Sequence, residues 1–261
     1  MNILEKITLD KRNEVALRKQ LIPVFQLEQS VLFERETISL ANKLRNSNTG
    51  IIAEHKRRSP SKSVINNTLN VQDVASGYES AGVCGISVLT DGKYFGGSLD
   101  DLLTARASCN LPLLRKEFII DEYQLLEAKA YGADVILLIA AVLTRDEIKQ
   151  FSEFAKSMNL DVLLEVHNEE ELHKSIMPSL DMLGVNNRNL KTFDVSLETS
   201  KTLSKLMPND FVKVSESGIS SIDAIKELQP YGYQGFLIGE NFMKTDNPGA
   251  SAKVFINKLN N

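Results

Sequence analysis

Glu54 and Lys56 stand two residues apart in AEHKRRSPSK, directly after the apolar run GII. In an extended segment, side chains at i and i+2 share a face, so a carboxylate and an ammonium there converge on one pocket. Such a pair can move protons or grip an anion; the plainer reading is a surface ion pair of little energetic value. Glu165 is the sharper case, because DVLLEV sets a carboxylate behind three apolar residues in a run that reads as a core strand. A buried carboxylate needs a partner or a raised pKa, and either condition suits a general acid or base. A strand that ended early would instead leave Glu165 merely exposed. Lys116 follows Arg115 in RKEF, and of two adjacent cations on a strand only one points inward. An inward lysine near carboxylates serves as a proton donor, as an electrostatic clamp or, with a lowered pKa, as a Schiff-base nucleophile.

Further polar residues follow later apolar runs: Asn186 and Arg188, Glu216 and Ser217, then Gly239 and Glu240. Singly, each reads as a solvated group at a strand end; repeated around one rim, they read as a site. SESGIS (215–220) and GFLIGEN (235–241) bring Gly218 and Gly239, which let backbone amides approach a phosphate closely, and Arg188 adds a bidentate charged contact. Together with the rim cations they favour an anionic, phosphorylated small substrate. His55, between Glu54 and Lys56, should face away from them, while His167 and His173 read as surface or capping groups. No histidine and carboxylate spacing suggests a zinc site, and no Walker or nicotinamide motif occurs.

The elements that must position these residues begin at residue 50. Eight apolar runs, GIIAE (50–54), CGISVLT (84–90), LPLLRK (111–116), ADVILLIA (133–140), DVLLEV (161–166), DMLGVN (181–186), DFVKVS (210–215) and QGFLIG (234–239), alternate with turns and helical patterns. Several are continuously apolar, as strands are when helices cover one face and a packed interior fills the other. The predicted helices include 71–82 ending in Gly82, 121–133, and 144–159 opening on Thr144 with Glu147 at the capping-box position; shorter patterns occupy 168–176, 194–206, 220–229 and 248–259. Eight such units make a (β/α)8 TIM barrel, with its site at the strand C-termini. A doubly wound open sheet is the weaker alternative, because no early G-x-G-x-x-G is present. Residues 1–49 carry amphipathic helical patterns over 1–20 and 33–46 without a strand between them, so we expect an N-terminal helical extension (1–49) packed on a catalytic barrel (50–261), one structural domain overall.

Thirty basic and 34 acidic residues leave a net charge of −4, with no global cationic field for a polyanion, and KRRSPSK lacks the aromatic interleaving of a single-strand binder. Two cysteines, Cys84 and Cys109, are too few for a disulfide scaffold and lie near apolar segments as buried thiols do. The N-terminus, charged at intervals, reads as neither a secretory signal nor a membrane anchor, and no run approaches 18 apolar residues.

In order, IIAEHKRRSPSK, SVLTDGKYFGGS, LPLLRKEFIIDEYQ, GADVILLI, LLEVHNEEEL, LGVNNRNLKTF and SESGI closely resemble the indole-3-glycerol phosphate synthase family from about residue 50 to 245, and the helical N-terminus resembles its usual extension. The resemblance implies conversion of 1-(2-carboxyphenylamino)-1-deoxyribulose 5-phosphate to indole-3-glycerol phosphate, carbon dioxide and water in tryptophan biosynthesis. Carried over by motif, it implies Glu54, Lys56, Lys116, Glu165, Asn186, Glu216 and Ser217 as catalytic. Lys56, Ser59, Ser61, Phe118, Arg188, Gly218, Gly239 and Glu240 become substrate or phosphate contacts, with Ser59 and Ser61 in a loop that closes near the substrate. Lys116 matches the lysine assigned as the acid for ring closure. No cofactor and no metal is implied, and the expected partner is a phosphorylated small molecule in the cytoplasm, with no nucleic acid, membrane or obligatory protein partner. Two departures stand out: Ser63 where the family commonly has glycine, and Glu117 where aspartate is common.

Overall fold

The computed structural model describes residues 3–190 and 192–261. Eight parallel strands, β1 (Ile51–His55), β2 (Gly85–Leu89), β3 (Leu113–Lys116), β4 (Val135–Ile139), β5 (Asp161–Val166), β6 (Met182–Asn186), β7 (Val212–Glu216) and β8 (Tyr233–Ile238), pair in chain order. They close into a barrel when β1 pairs with β8. Each crossover carries a helix, which is the (β/α)8 TIM barrel the alternation predicts; the open sheet is thereby overturned.

Period-two alternation sorts the side chains. On β1, Ile51 and Ala53 pack outward against the helices while Ile52 points into the barrel. On β5, Val162, Leu164 and Val166 face outward and Leu163 inward. The inward set (Ile52, Leu114, Leu137, Leu163, Met182, Val214 among it) fills the barrel as a packed core rather than a pore. One step further toward the C-terminal ends, the same inward phase delivers Glu54, Lys116, Glu165, Asn186 and Glu216. Register sets them in a stagger: Ile139 pairs with Glu165 and Glu165 with Gly184, while Asn186, two residues further along β6, pairs with Glu216.

The N-terminal extension departs from expectation in two places, the first being a short helix, Val24–Glu28, between the two predicted segments. The helix predicted over 1–20 spans Ile3–Leu21, with Met1 and Asn2 outside the described residues, but the helix expected over 33–46 is confined to Leu40–Arg45. Residues before it are drawn straight by carboxylates at the opposite, N-terminal end of the barrel. Asp134 Oδ1 accepts from Arg35 Nη2 (2.6 Å) and the Ile38 amide (2.8 Å), while Asp161 Oδ2 accepts from Ser39 Oγ and the Ala41 amide. Two peptide groups satisfied by side chains from the residue before β4 and from the start of β5 outweigh a weak local helical preference. Leu40 and Leu44 then seal the barrel floor. The sequence reading also passes over the helix Leu99–Ser108, capped by Ser98 accepting from the Asp101 amide.

The long first helix is anchored by charge as well as apolar contact. Lys11, buried, lies 3.0 Å from Asp91 and 3.1 Å from Glu117, and Arg18 donates to Glu127 at 2.5 Å. Burial alone would lower the Lys11 pKa, but the surrounding Glu117, Asp91 and Glu14 carboxylates raise it above the ordinary lysine value. No helix among the described residues is long and apolar enough to cross a membrane.

Candidate active site

A cavity of about 430 Å³ opens over the C-terminal ends of the strands. Every residue assigned to the site from sequence lines it: Glu54, Lys56, Ser59, Ser61, Lys116, Phe118, Glu165, Asn186, Arg188, Glu216, Ser217, Gly218, Gly239 and Glu240. Of the two adjacent cations Lys116 points inward, while Arg115 turns to the helices and donates to the Gln124 carbonyl (2.6 Å) and Glu127 Oε2 (3.1 Å). Glu165 lies inside β5 and is buried, so the reading in which the strand ends early and exposes it fails.

At the floor of the cavity Lys116 Nζ bridges two carboxylates, 2.9 Å from Glu165 Oε2 and in direct contact with Glu216 Oε2. Burial opposes the Lys116 charge, but Glu165, Glu216 and Glu54 outweigh it, so its pKa is raised. The two acids divide. Burial would raise Glu165, yet Lys116, His167 and Asn186 hold it well below the usual carboxylate range. Glu216 is pushed up to about 7 by burial, with the Glu165 charge adding to the effect against the pull of Lys116. One ammonium cannot neutralise two buried carboxylates, and the proton settles on the acid with fewer donors. Glu216 Oε1 has no hydrogen-bond partner among the described residues and rests where a side chain on Gly184 would collide with it, 2.7 Å from the position of a Cβ.

Beside this group Lys56 Nζ lies 2.7 Å from Glu54 Oε1, and Ser87 donates to the other oxygen of Glu54. Gly239 is required here, since a Cβ would stand 2.5 Å from Glu54 Oε1. Ser217 and Gly218 both take left-handed backbone (φ 65° and 79°), turning the β7 exit sharply across the cavity. Such geometry in a serine is strained and is held from below: buried Asn187 donates to the Ser217 carbonyl (3.1 Å) and to Ser215 Oγ. Arg188 takes its place through an isolated bridge to Val195 and a 3.2 Å donation to the Phe193 carbonyl. The segment after β1 folds back on itself, Ser59 pairing with Lys62, and Lys62 reaches Glu240 at 2.7 Å across the cavity mouth.

Opposite the glycine turns the wall is apolar. Phe95 and Phe118 meet with ring centroids 6.0 Å apart, and Ile3, Leu4 and Ile7 of the first helix complete the lining. Sequence reasoning assigned no role to these helix residues or to Phe95. The i, i+4 spacing of Ile3, Ile7, Lys11 and Val15 is the available signal, a stripe buried at Ile7, Lys11 and Val15 that does not tell what it covers.

Among the histidines, His55 is buried and faces away as expected, its pKa lowered to about 4 by burial and by Arg57. His173 is exposed beside Glu169. His167 corrects the surface assignment: its side chain is only 10% exposed, with Nε2 3.4 Å from Glu165 Oε1 and Nδ1 3.1 Å from Glu171 Oε2. Glu117, the residue beside Lys116, is committed elsewhere: it accepts from Thr90 (2.8 Å) and pairs with Lys11. Among the described residues no group of three or more His, Cys, Asp or Glu is placed to hold a metal ion.

A (β/α)8 barrel whose rim sets lysine and glutamate pairs between an aromatic wall and glycine turns has the architecture of an acid–base enzyme for a small anionic substrate. The sequence matches the family described as Indole-3-glycerol phosphate synthase over residues 4–255. It is 46% identical over 258 residues to the indole-3-glycerol phosphate synthase of Bacteroides thetaiotaomicron, covering 99% of each chain, and 42% identical over 259 residues to that of Albidiferax ferrireducens, covering 97% of this chain and 98% of the other. Among solved structures, 3-hexulose-6-phosphate synthase from Salmonella typhimurium superposes with a TM-score of 0.65 at 14% identity, covering 80% of this chain and 98% of that one, a likeness of fold alone. This chain belongs to the indole-3-glycerol phosphate synthase family. It is a carboxy-lyase that closes, decarboxylates and dehydrates a carboxyphenylamino-deoxyribulose phosphate in tryptophan biosynthesis.

Proposed function

We propose that the rim divides the reaction between two working groups, Lys116 for ring closure and Glu165 for dehydration. The observation that carries this reading is the placement of Lys116 Nζ between Glu165 and Glu216 on the cavity floor, with the apolar wall on one side and the glycine turns on the other. The aryl ring lies against Phe95 and Phe118. The phosphate is held by Lys56, Arg188 and the amides near Gly218, Gly239 and Glu240, and Ser59 and Ser61 come from the segment above. Glu240 acts through its amide only, because its carboxylate would repel the phosphate and is taken by Lys62.

In the first step the ring carbon bearing the carboxylate bonds to the ketone carbon, and Lys116 gives its proton to the oxygen that becomes a hydroxyl. A raised pKa keeps Lys116 an ammonium, which suits a donor and disfavours an imine-forming amine. Loss of carbon dioxide returns the bonding electrons to the ring and restores aromaticity. In dehydration Glu165 accepts the proton from the carbon beside the nitrogen while Lys56, in the same cavity, gives a proton to the departing hydroxyl, which leaves as water. Glu54 orients Lys56, Asn186 holds Glu165, and Ser217 fixes the phosphate turn. A noncatalytic phosphometabolite binder would not need Glu165 at the floor.

The N-terminal segment and the barrel work as one unit in this reading, since the first helix lends Ile3, Leu4 and Ile7 to the aryl wall. The phosphorylated substrate is the partner it requires, and the cytoplasm the compartment it implies, with Cys84 and Cys109 present as buried free thiols. The test follows carbon dioxide release and indole absorbance in parallel. Lys116→Ala should lose both signals together, whereas Glu165→Gln should retain carbon dioxide release well in excess of indole formation. Equal loss of both signals in Glu165→Gln would contradict the division.

A further inference from the structure

The two oxygens of Glu165 are held differently. Oε2 accepts from Lys116 at 2.9 Å, its one hydrogen-bond partner among the described residues. Oε1 accepts from Asn186 Nδ2 at 3.2 Å and is approached by His167 Nε2 at 3.4 Å, too far for a good hydrogen bond. That Nε2 is buried and has no hydrogen-bond partner among the described residues, and His167 is not among the cavity-lining residues. The other side of the imidazole is fixed. Glu171 Oε2 takes the His167 amide (2.8 Å) and Nδ1 (3.1 Å), while Asn168, capping the helix Glu169–Ser175, donates to Glu171 Oε1 and accepts from the Glu171 amide, both at 2.9 Å. Glu171 is therefore locked by its own helix start, and it makes Nδ1 the donor, so a second proton on the ring can only point at Glu165.

We propose that His167, oriented by Glu171, is a positioning residue for Glu165, gripping Oε1 from behind so that Oε2 stays aimed and ionised when Lys116 turns to the substrate. The inference rests on the reading of Glu165 as a working group. Without such a grip, the moment Lys116 gives up its proton would leave Glu165 beside Glu216 with only Asn186 as donor. A cation 3.4 Å behind Oε1 closes to hydrogen-bond distance with a small rotation of the carboxylate. The charged groups around the imidazole come from three elements: Glu171 on the following helix, Glu165 on β5 and Glu216 on β7. Lys116 on β3 reaches Glu165 from the opposite side. Burial disfavours the imidazolium, but these carboxylates outweigh it and raise the His167 pKa above its ordinary value.

The chain has three histidines, so the ring can be followed by NMR without crowding. Titration of His167 in the wild-type protein and in Glu165→Gln should show its midpoint fall by about one pH unit when the facing charge is removed, the size expected for an opposite charge at this range. An unchanged midpoint would overturn the proposal. In turn, His167→Asn should shift the acid limb of the kcat profile upward by about one unit, with KM unchanged, because Glu165 loses a cation that keeps it ionised. A profile overlying the wild type, or a uniform loss at every pH, would overturn it; if His167→Asn does not fold, the titration decides alone. The outcomes separate from those of the parent reading: Glu165→Gln with full indole formation defeats the role of Glu165, whereas an inactive Glu165→Gln with an unmoved His167 midpoint defeats this inference only.

Discussion

Two buried charge clusters occupy opposite ends of the barrel and are built on different terms. At the N-terminal end Asp134, fully buried, has both oxygens filled: Oδ1 by Arg35 and the Ile38 amide, Oδ2 by Arg106 (3.0 Å) and the Leu113 amide (2.8 Å). At the C-terminal end Lys116 serves two carboxylates and, among the described residues, Glu216 Oε1 has no partner and His167 Nε2 stops short of one. A completed network fastens structure, here the N-terminal arm to the barrel floor. An incomplete one carries free energy that a substrate can recover, and it is where titration is shifted. The same residue types thus do opposite work according to whether their hydrogen-bonding capacity is filled.

The sharpest way to break the comparison is substitution at its centre. Lys116→Met should lower kcat by about 10³-fold, the scale of removing a group that stabilises developing charge, with little change in thermal midpoint, since the paired acids below it can protonate. Asp134→Asn should do the reverse. Removing one partner of a filled buried network costs about 3–5 kcal/mol, so the midpoint should fall by roughly 10 °C while kcat per folded molecule stays within a few-fold. Differential scanning calorimetry beside steady-state kinetics checks both.

The third prediction uses pH. A folded-state pKa near 7 for Glu216 lies above the unfolded value of a glutamate, so the native state binds more protons between them. Stability from this group is fully present below the unfolded value and is lost as pH rises through about 7. Glu216→Gln should therefore raise the melting midpoint by about 5 °C at pH 8 and leave it nearly unchanged at pH 4, where the wild-type acid is already neutral. The smallest effect belongs to the exposed pair across the cavity mouth: Lys62→Ala should change stability by less than about 0.5 kcal/mol, measured by urea unfolding.

What could be read from the sequence follows the range of the forces involved. Alternation is local, so Glu54 with Lys56, the rule that only one of Arg115 and Lys116 points inward, and the buried placement of Glu165 were accessible from spacing within one strand, whereas which of the two cations turns inward is seen only in the fold. The helical pattern over 33–46 failed because residues about a hundred positions away, Asp134 and Asp161, claim the amides that a helix would use. His167 reads from sequence as a surface or capping group beside the following helix, whereas its side chain is buried against Glu165 and that helix start. The helix Leu99–Ser108 has its turns set by packing against neighbouring helix and strand rather than by a strong pattern of its own. Ser63 stands exposed in the segment after β1, and nothing in the structure explains serine there in place of glycine.

The measurement that bears most directly on the account is indole formation from authentic carboxyphenylamino-deoxyribulose phosphate by the purified chain and by Lys116→Ala, at equal folded concentration. The account predicts conversion by the unaltered chain and a rate about 10³-fold lower in the variant. An inert wild-type protein, or a variant within tenfold of it, would contradict the assignment of the chemistry to the incomplete charge cluster at the rim.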